Sequence, residues 1–259
     1  NDEWGEPANL GPYINSPARE LGPNISADGL SLYFSSTRDG GLGGNDIYVS
    51  MRDSLSAPWG TPVSLGPRVN SSFDDVSPCI SADGLSLYFS DWDGNGVPGR
   101  PGGYGQADIW VSRRVSLSAP WGPAVNLGAT VNSATTEAAP DISDDGLMLF
   151  FSGYRSGSPW DLWVCVRASI EDDWSEPVNL GPAVNSSSVD LNPSLSSDGR
   201  TLYFVSFRGG TNPDLWQVPI APIVDFDGDG KVTEKEVVMM MQQWGCCESL
   251  CDIGPTPFG

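Results

Sequence analysis

The sequence predicts an all-β protein: a four-bladed β-propeller closed by an N-terminal outer strand, followed by a short C-terminal calcium loop and helix. Three observations carry this reading. The first is composition. The 259 residues include 31 Gly and 22 Pro, more turn chemistry than a helical protein carries, and the 10 Trp, 9 Phe and 7 Tyr exclude a disordered chain. The second is an internal repeat, and the third is a twelve-residue acidic loop near the C-terminus.

The repeat is fixed by anchors that stay in step. Ser-x-Asp-Gly places its aspartate at Asp28, Asp83, Asp145 and Asp198, with steps of 55, 62 and 53 residues. Trp4, Trp59, Trp121 and Trp174, each followed by Gly or Ser, keep the same three steps. So do Asn15, Asn70, Asn132 and Asn185 of Asn-Ser, the acids Glu20, Asp75, Glu137 and Asp190, and the prolines Pro23, Pro78, Pro140 and Pro193.

Each unit reads as four short strands. In the first these are the segment around Asn24-Ile25-Ser26, the run Leu32-Tyr33-Phe34, the run Asp46-Ile47-Tyr48-Val49 and the segment from Trp59 to Leu65. Asp-Gly after the first strand is a hairpin signal. The middle strands are apolar on both faces, as expected of sheets stacked against other sheets, and four-stranded units repeated in this way are propeller blades.

The chain opens with a Trp segment, Trp4 to Leu10, before any Ser-x-Asp-Gly, and the last unit ends at Asp214-Leu215-Trp216 without one. The N-terminal segment is therefore expected to supply the missing outer strand of the last blade. The alternative is that the leftover edges pair between chains and form an open polymer. Residues 1–220 form the propeller and residues 221–259 the calcium loop, helix and cysteine-containing tail.

The motif Pro-x-Ile-Ser-x-Asp-Gly-Leu-x-Leu-Tyr-Phe-Ser, followed by Asp-[Ile/Leu]-[Tyr/Trp], resembles the TolB-like, WD-repeat-like propellers of bacterial secreted and periplasmic proteins. The resemblance covers about residues 4–220 and implies the propeller fold and a role as an interaction module.

Charge and missing residue types narrow the chemistry. With 33 acidic and 13 basic residues the net charge is −20, which repels nucleic acid and anionic membranes and attracts cations. There is no histidine, so His-based acid–base catalysis, Ser-His-Asp triads and the usual zinc ligands are excluded. No apolar run is long enough to span a bilayer. The chain begins at Asn1, as after removal of a signal peptide. Cys79 and Cys165 sit in apolar runs as buried thiols, while Cys246, Cys247 and Cys251 fit one short disulfide plus an odd thiol. An extracellular or cell-surface location is expected.

Residues 225–236, Asp-Phe-Asp-Gly-Asp-Gly-Lys-Val-Thr-Glu-Lys-Glu, match the twelve-residue calcium loop. Asp225, Asp227 and Asp229 take positions 1, 3 and 5, Gly230 the sharp turn, Lys231 the carbonyl position and Glu236 the bidentate position. Pro219-Ile220-Ala221-Pro222 excludes an entering helix, whereas Glu234 to Trp244 reads as an exiting one. A single loop with its exiting helix resembles half of a dockerin. Val237 to Met241 make that helix apolar nearly all round. It must bury itself against its own propeller, a protein partner or a copy of the chain.

A second candidate loop lies in blade two. Asp91, Asp93 and Asn95 match positions 1, 3 and 5, with Gly96 at the turn, but Gly102 stands where the bidentate acid belongs. The reading there is calcium or an ordinary Asp-Gly and Asn-Gly turn.

The acids Glu20, Asp75, Glu137 and Asp190 precede the inner strands. They either hold a cation or bond backbone amides or an arginine. Arg38, Arg155 and Arg208 recur ten residues after the Asp of Asp-Gly, and Asp93 breaks the series. Asp46, Asp108, Asp161 and Asp214 read as turn caps. Sequons occur at Asn24, Asn70 and Asn185, and Trp92, Tyr104 and Trp160 are candidate sugar-stacking aromatics.

Two functions follow. The first is a non-catalytic, calcium-binding extracellular propeller acting as an interaction or structural subunit, able to assemble through its tail. The alternative is a carbohydrate-binding or carbohydrate-active propeller that uses acids such as Asp91 and Asp93 beside Trp92.

Overall fold

The Ser-x-Asp-Gly anchor folds identically in every repeat of the computed structural model, which describes residues 5–92, 99–155, 157 and 159–220. In the first repeat Ser26 Oγ donates to Asp28 Oδ1 at 2.6 Å, and the same oxygen accepts Leu30 N–H at 2.9 Å. Gly29 takes φ 71°, a left-handed conformation that only glycine adopts cheaply. The turns at Asp83, Asp145 and Asp198 repeat these bonds.

Each turn joins the first two strands of an antiparallel sheet. Sheet one holds β1 (Glu20–Ile25), β2 (Ser31–Ser36), β3 (Asp46–Met51) and β4 (Val63–Ser64). Sheet two holds β5 (Asp74–Ile80), β6 (Ser86–Trp92), β7 (Ile109–Arg113) and β8 (Val125–Asn126). Sheet three holds β9 (Thr136–Ile142), β10 (Met148–Tyr154), β11 (Asp161–Val166) and β12 (Val178–Asn179). Sheet four has β13 (Asp190–Leu195), β14 (Thr201–Ser206) and β15 (Asp214–Pro219). Strand order follows chain order in all four, and no helix occurs among the described residues. The architecture is the all-β, four-blade propeller arrangement that the repeat predicts.

In sheets one, two and four the first strand is bulged beside its proline. The register shifts between Leu21 and Asn24, Val76 and Cys79, and Leu191 and Ser194. Proline has no N–H to give to a ladder, so the bulge falls there. The residue before it takes a left-handed conformation: Gly22 (φ 55°), Ser77 (φ 53°), Ala139 (φ 52°) and Asn192 (φ 52°). An alanine in that region is strained by about 1–2 kcal/mol, partly offset in a glycine variant by lost chain entropy. Ala139→Gly is expected to stabilise the protein by about 0.5–1 kcal/mol, read as a raised urea midpoint; a lowered midpoint would refute the strain.

Two compact units divide the chain. Of the described residues, those up to 127 and 138–140 make the first, and those from 128–137 and 141–220 the second. In the first unit Ile47 of β3 packs with Val69, Ile80, Leu87 and Phe89 of the following repeat. In the second, Leu162 of β11 packs in the same way with Leu180, Val184, Leu202 and Phe204. Each unit thus contains one blade-to-blade junction built from the same repeat positions.

The outer strands are only two residues long in sheets one to three, and an arginine holds each Trp segment in place. Arg52 lies 4.4 Å from the ring centre of Trp59 while donating to the carbonyls of Gly29 (2.8 Å) and Leu55 (2.9 Å). Arg114 on Trp121 and Arg167 on Trp174 repeat the arrangement.

This tie corrects the expected N-terminal clasp. Sheet four has three strands among the described residues, and residues 5–10 are exposed and lie outside any strand. At the repeat position of Arg52 the last blade carries Ile220, whose N–H bonds Arg200 O as Arg52 N–H bonds Leu30 O. It offers neither cation nor donors to an incoming tryptophan. Ala8 also stands where the outer strands carry Val63, Val125 and Val178, so the β-branched residue is missing as well. The C-terminal loop and helix lie outside the described residues.

Candidate functional site

The four acids that precede the inner strands are each tied to an arginine. Arg38 NH2 meets Glu20 Oε1 at 3.0 Å, Arg155 Nε meets Glu137 Oε1 at 3.5 Å, and Arg208 NH2 meets Asp190 Oδ1 at 2.8 Å. The guanidinium also reaches the carbonyl of the residue before the Asn-Ser asparagine: Ile14, Val131 and Val184 in these three repeats. Of the two sequence readings, the arginine pairing is the one the geometry adopts.

Blade two solves the same problem differently. Asp93 lies outside the described residues, and the arginine comes instead from Arg100 in the insertion. Arg100 donates to Val69 O at 2.7 Å and stacks 5.5 Å from Phe89 and 4.8 Å from Trp110. Sequence reasoning missed it, although a lone arginine inside a Gly/Pro-rich insertion, in the one blade lacking the usual arginine, was the available signal.

The borrowed arginine fits less closely. Its NH1 is 3.8 Å from Asp75 Oδ1, and both atoms are buried without a hydrogen-bond partner. Asp75 Oδ2 accepts Ser71 N–H at 2.6 Å and Ser71 Oγ at 3.0 Å. Burial, only partly countered by Arg100 and Ser71, pushes the Asp75 carboxyl up to about 7. At Glu20 burial also acts to raise the value, but hydrogen bonds from Ser16, Ser36 and Arg38 prevail and lower it.

Further carboxylates surround Asp75 in the first unit. Asp46 Oδ2 accepts Leu42 N–H (2.9 Å) and Gly43 N–H (3.1 Å), while its Oδ1 is buried without a partner. Asp74 Oδ1 accepts Asn45 N–H at 2.6 Å. Asp108 Oδ2 accepts Tyr104 N–H at 2.5 Å and Asn126 Nδ2 at 3.0 Å. Burial raises Asp46, Asp91 and Asp108 above the usual carboxylate range, and Asp74 beside Asp46 and Asp91 beside Asp108 add to it. Tyr104, fixed through its backbone to Asp108, keeps its side chain outside, with the residue 53 % exposed.

The candidate metal loop in blade two is reassigned in part. Asp91 is buried, its Oδ1 accepting Asp108 N–H at 2.7 Å and its Oδ2 accepting Arg100 N–H at 2.6 Å. Each oxygen accepts one amide hydrogen, so Asp91 staples the loop as the turn reading expects; a Cβ on Gly99 would overlap this carboxylate. Asn95, like Asp93, lies outside the described residues, as do Asp225, Asp227, Asp229, Lys231 and Glu236. Among the described residues no group of three or more Asp, Glu or Cys side chains is arranged to hold a metal.

Two of the Asn-Ser asparagines, Asn70 and Asn185, are clasps. Asn70 Oδ1 accepts Ile47 N–H at 2.8 Å and its Nδ2 donates to Ile47 O at 3.0 Å; Asn185 treats Leu162 identically. Both side chains are buried in this role, which does not suit a glycan acceptor. Asp46 and Asp108 cap the loops before β3 and β7, as their spacing predicts.

A groove of about 600 Å³ lies elsewhere in the first unit, lined by Tyr33, Met51, Arg52, Asp83, Arg114 and Leu117 among others. Its arginines are already committed to the tryptophan ties.

Comparison with known proteins places the fold. The chain is similar to TolB from Acinetobacter baumannii, with 18 % identity, a TM-score of 0.55, and coverage of 80 % of this chain and 43 % of that one. It is also similar to an α-L-arabinofuranosidase from Lactobacillus brevis (15 %, TM-score 0.53, 80 % and 75 % covered). An endo-arabinase from Bacteroides thetaiotaomicron is a third (17 %, TM-score 0.51, 75 % and 72 % covered). The chain spans less than two thirds of the length of the Acinetobacter TolB. No family model matches the sequence, and no curated protein does.

These likenesses show the β-propeller fold. They also correct the expectation of a non-catalytic chain, because glycoside hydrolases share the fold. Glycoside hydrolysis uses a pair of carboxyl groups and needs no histidine.

Proposed function

We propose that this protein is an exported, carbohydrate-directed propeller whose site is the acid cluster of blade two, with arabinose-containing glycans as the substrate class. The observation that carries the reading is the exposed Tyr104, tethered to a group of carboxylates in which Asp75 is poised near neutrality. An exposed aromatic ring stacks on a sugar, and a carboxylic acid that keeps its proton near pH 7 is the group that protonates a glycosidic oxygen. Asp46 of the neighbouring first sheet, which raises Asp75 electrostatically, joins that cluster as the partner carboxylate. The arabinan-directed names among the structural neighbours support the substrate class. Export is supported by the TolB likeness. Calcium at residues 225–236 is part of the proposal on the loop sequence alone.

Calorimetric titration of the full chain with arabino-oligosaccharides tests the site. Tyr104→Ala is expected to weaken binding about tenfold, the loss of one stacking contact worth about 1–1.5 kcal/mol. Reducing-end release from arabinan, measured alongside, is expected to fall in Asp75→Asn. Equal binding by the Tyr104 variant would move the site elsewhere.

A further inference from the structure

In blades one and four a serine opposite the inner acid holds the arginine that neutralises it. Strand register pairs Glu20 with Ser36 and Asp190 with Ser206. Ser36 Oγ accepts Arg38 N–H at 3.2 Å and Nε–H at 3.0 Å. Ser206 Oγ accepts Arg208 N–H at 3.2 Å and Nε–H at 2.7 Å.

In blade two the residue paired with Asp75 is Asp91. It takes over the first half of the serine's work, its Oδ2 accepting Arg100 N–H at 2.6 Å. The longer side chain reaches an arginine nine positions on. Its other oxygen accepts Asp108 N–H at 2.7 Å, and the guanidinium is held by Val69 O and the rings of Phe89 and Trp110. A Cβ on Gly99 would stand 2.1 Å from Asp91 Oδ2, so the residue before Arg100 must be glycine for the carboxylate to seat there.

The distance from arginine to acid follows the residue that holds it. With serine it is 3.0 Å in blade one and 2.8 Å in blade four. Blade three carries Gly153 at this repeat position, and Arg155 stands 3.5 Å from Glu137. With Asp91 the distance from Arg100 to Asp75 is 3.8 Å.

We propose that Asp91 is a positioning residue of the blade-two site: by seating the Arg100 backbone on its carboxylate it sets the guanidinium beside Asp75, near enough to attract that carboxyl group and too far to hydrogen-bond it. This role rests on Asp75 being the acid of the proposed site. Asp91 can act on Asp75 in two ways, and they have opposite signs. As a neighbouring negative charge it would disfavour the Asp75 carboxylate, so its loss would ease ionisation. As the seat of Arg100 it keeps a cation close, so its loss hinders ionisation. Arg100 and Ser71 favour the Asp75 carboxylate, while burial and Asp46 oppose it. Loss of the seat is therefore the larger effect.

Carbon-13 NMR of the aspartate carboxyl groups across a pH series, on the full chain without glycan, reads this directly. The Asp75 signal is identified by its absence from Asp75→Asn. Asp91→Ala and Gly99→Ala, the second leaving every charge in place, are each expected to raise the Asp75 midpoint by about one pH unit. Arg100→Met is expected to do the same. Asp91→Ala/Arg100→Met is expected to add nothing to Arg100→Met, because the two residues act as one. An Asp75 midpoint that stays in place or falls in either single variant of the seat, or shifts that add in the double variant, would overturn the proposal. Because no glycan is present, a failure of arabino-oligosaccharide binding is read separately: it would sink the carbohydrate reading and leave the hold of Asp91 on Arg100 standing.

Discussion

Replacing Arg208 by methionine is expected to destabilise the protein by about 3–5 kcal/mol. Asp190 has a fully buried side chain that pairs with Arg208 at 2.8 Å, and its other oxygen is held by Ser186 N–H and Oγ at 2.6 and 2.9 Å. The guanidinium also bonds Ser206 Oγ at 2.7 Å and Val184 O, and stacks near Phe204 and Trp216. Methionine keeps the apolar contact but strands a buried carboxylate without its cation. For a domain of this size the loss corresponds to a fall of about 6–20 °C in Tm. Removing the acid as well, in Arg208→Met/Asp190→Leu, is expected to recover a large part of it, since the larger penalty lies in the unpaired charge. A single variant within 1 kcal/mol of wild type would show that Asp190 is solvated in solution.

The second large effect is a dependence of stability on pH set by Asp75. Its ordinary value is 3.8 and burial raises it to about 7 in the folded protein. Between these values the folded state binds the proton and the unfolded state does not, so stability falls as pH rises from about 4 to 7. Below that window the group contributes no penalty, and above it the penalty is complete. A shift of this size corresponds to about 4 kcal/mol. Asp46, Asp91 and Asp108 are raised as well and act in the same direction. Urea unfolding across that range is expected to show a decline for wild type that is largely flattened in Asp75→Asn, because the amide cannot ionise. Parallel slopes for the two proteins would remove Asp75 as the source.

The repeat positions were legible because each anchor residue does one local job. Ser-x-Asp-Gly closes a turn, the proline marks a bulge, and a run apolar on both faces becomes a middle strand. These jobs depend on residues close in sequence, so spacing alone exposes them. The arginine that serves Asp75 was not legible by spacing, since Arg100 arrives through an insertion that breaks the count. The N-terminal clasp was misread for a related reason. Counting tryptophans ignored the arginine that each one needs, and Ile220 occupies the last of those positions. Asp91 was left between a calcium ligand and an ordinary turn because alternate acids around glycine look the same in both. The placement of Arg100 N–H and Asp108 N–H on its two oxygens shows its role in the turn.

Blade two differs from its three relatives in one consistent way. It buries more carboxylate than its single guanidinium can neutralise at close range, and it keeps an aromatic residue exposed beside that charge. Such an excess costs stability, and it is the place where the proposed site lies. Direct titration of the full chain with arabino-oligosaccharides, comparing wild type with Tyr104→Ala, tests this account. Saturable heat in the wild type, weakened about tenfold in the variant, is the predicted result. An absence of binding to any arabinose-containing glycan by the folded wild type would contradict it.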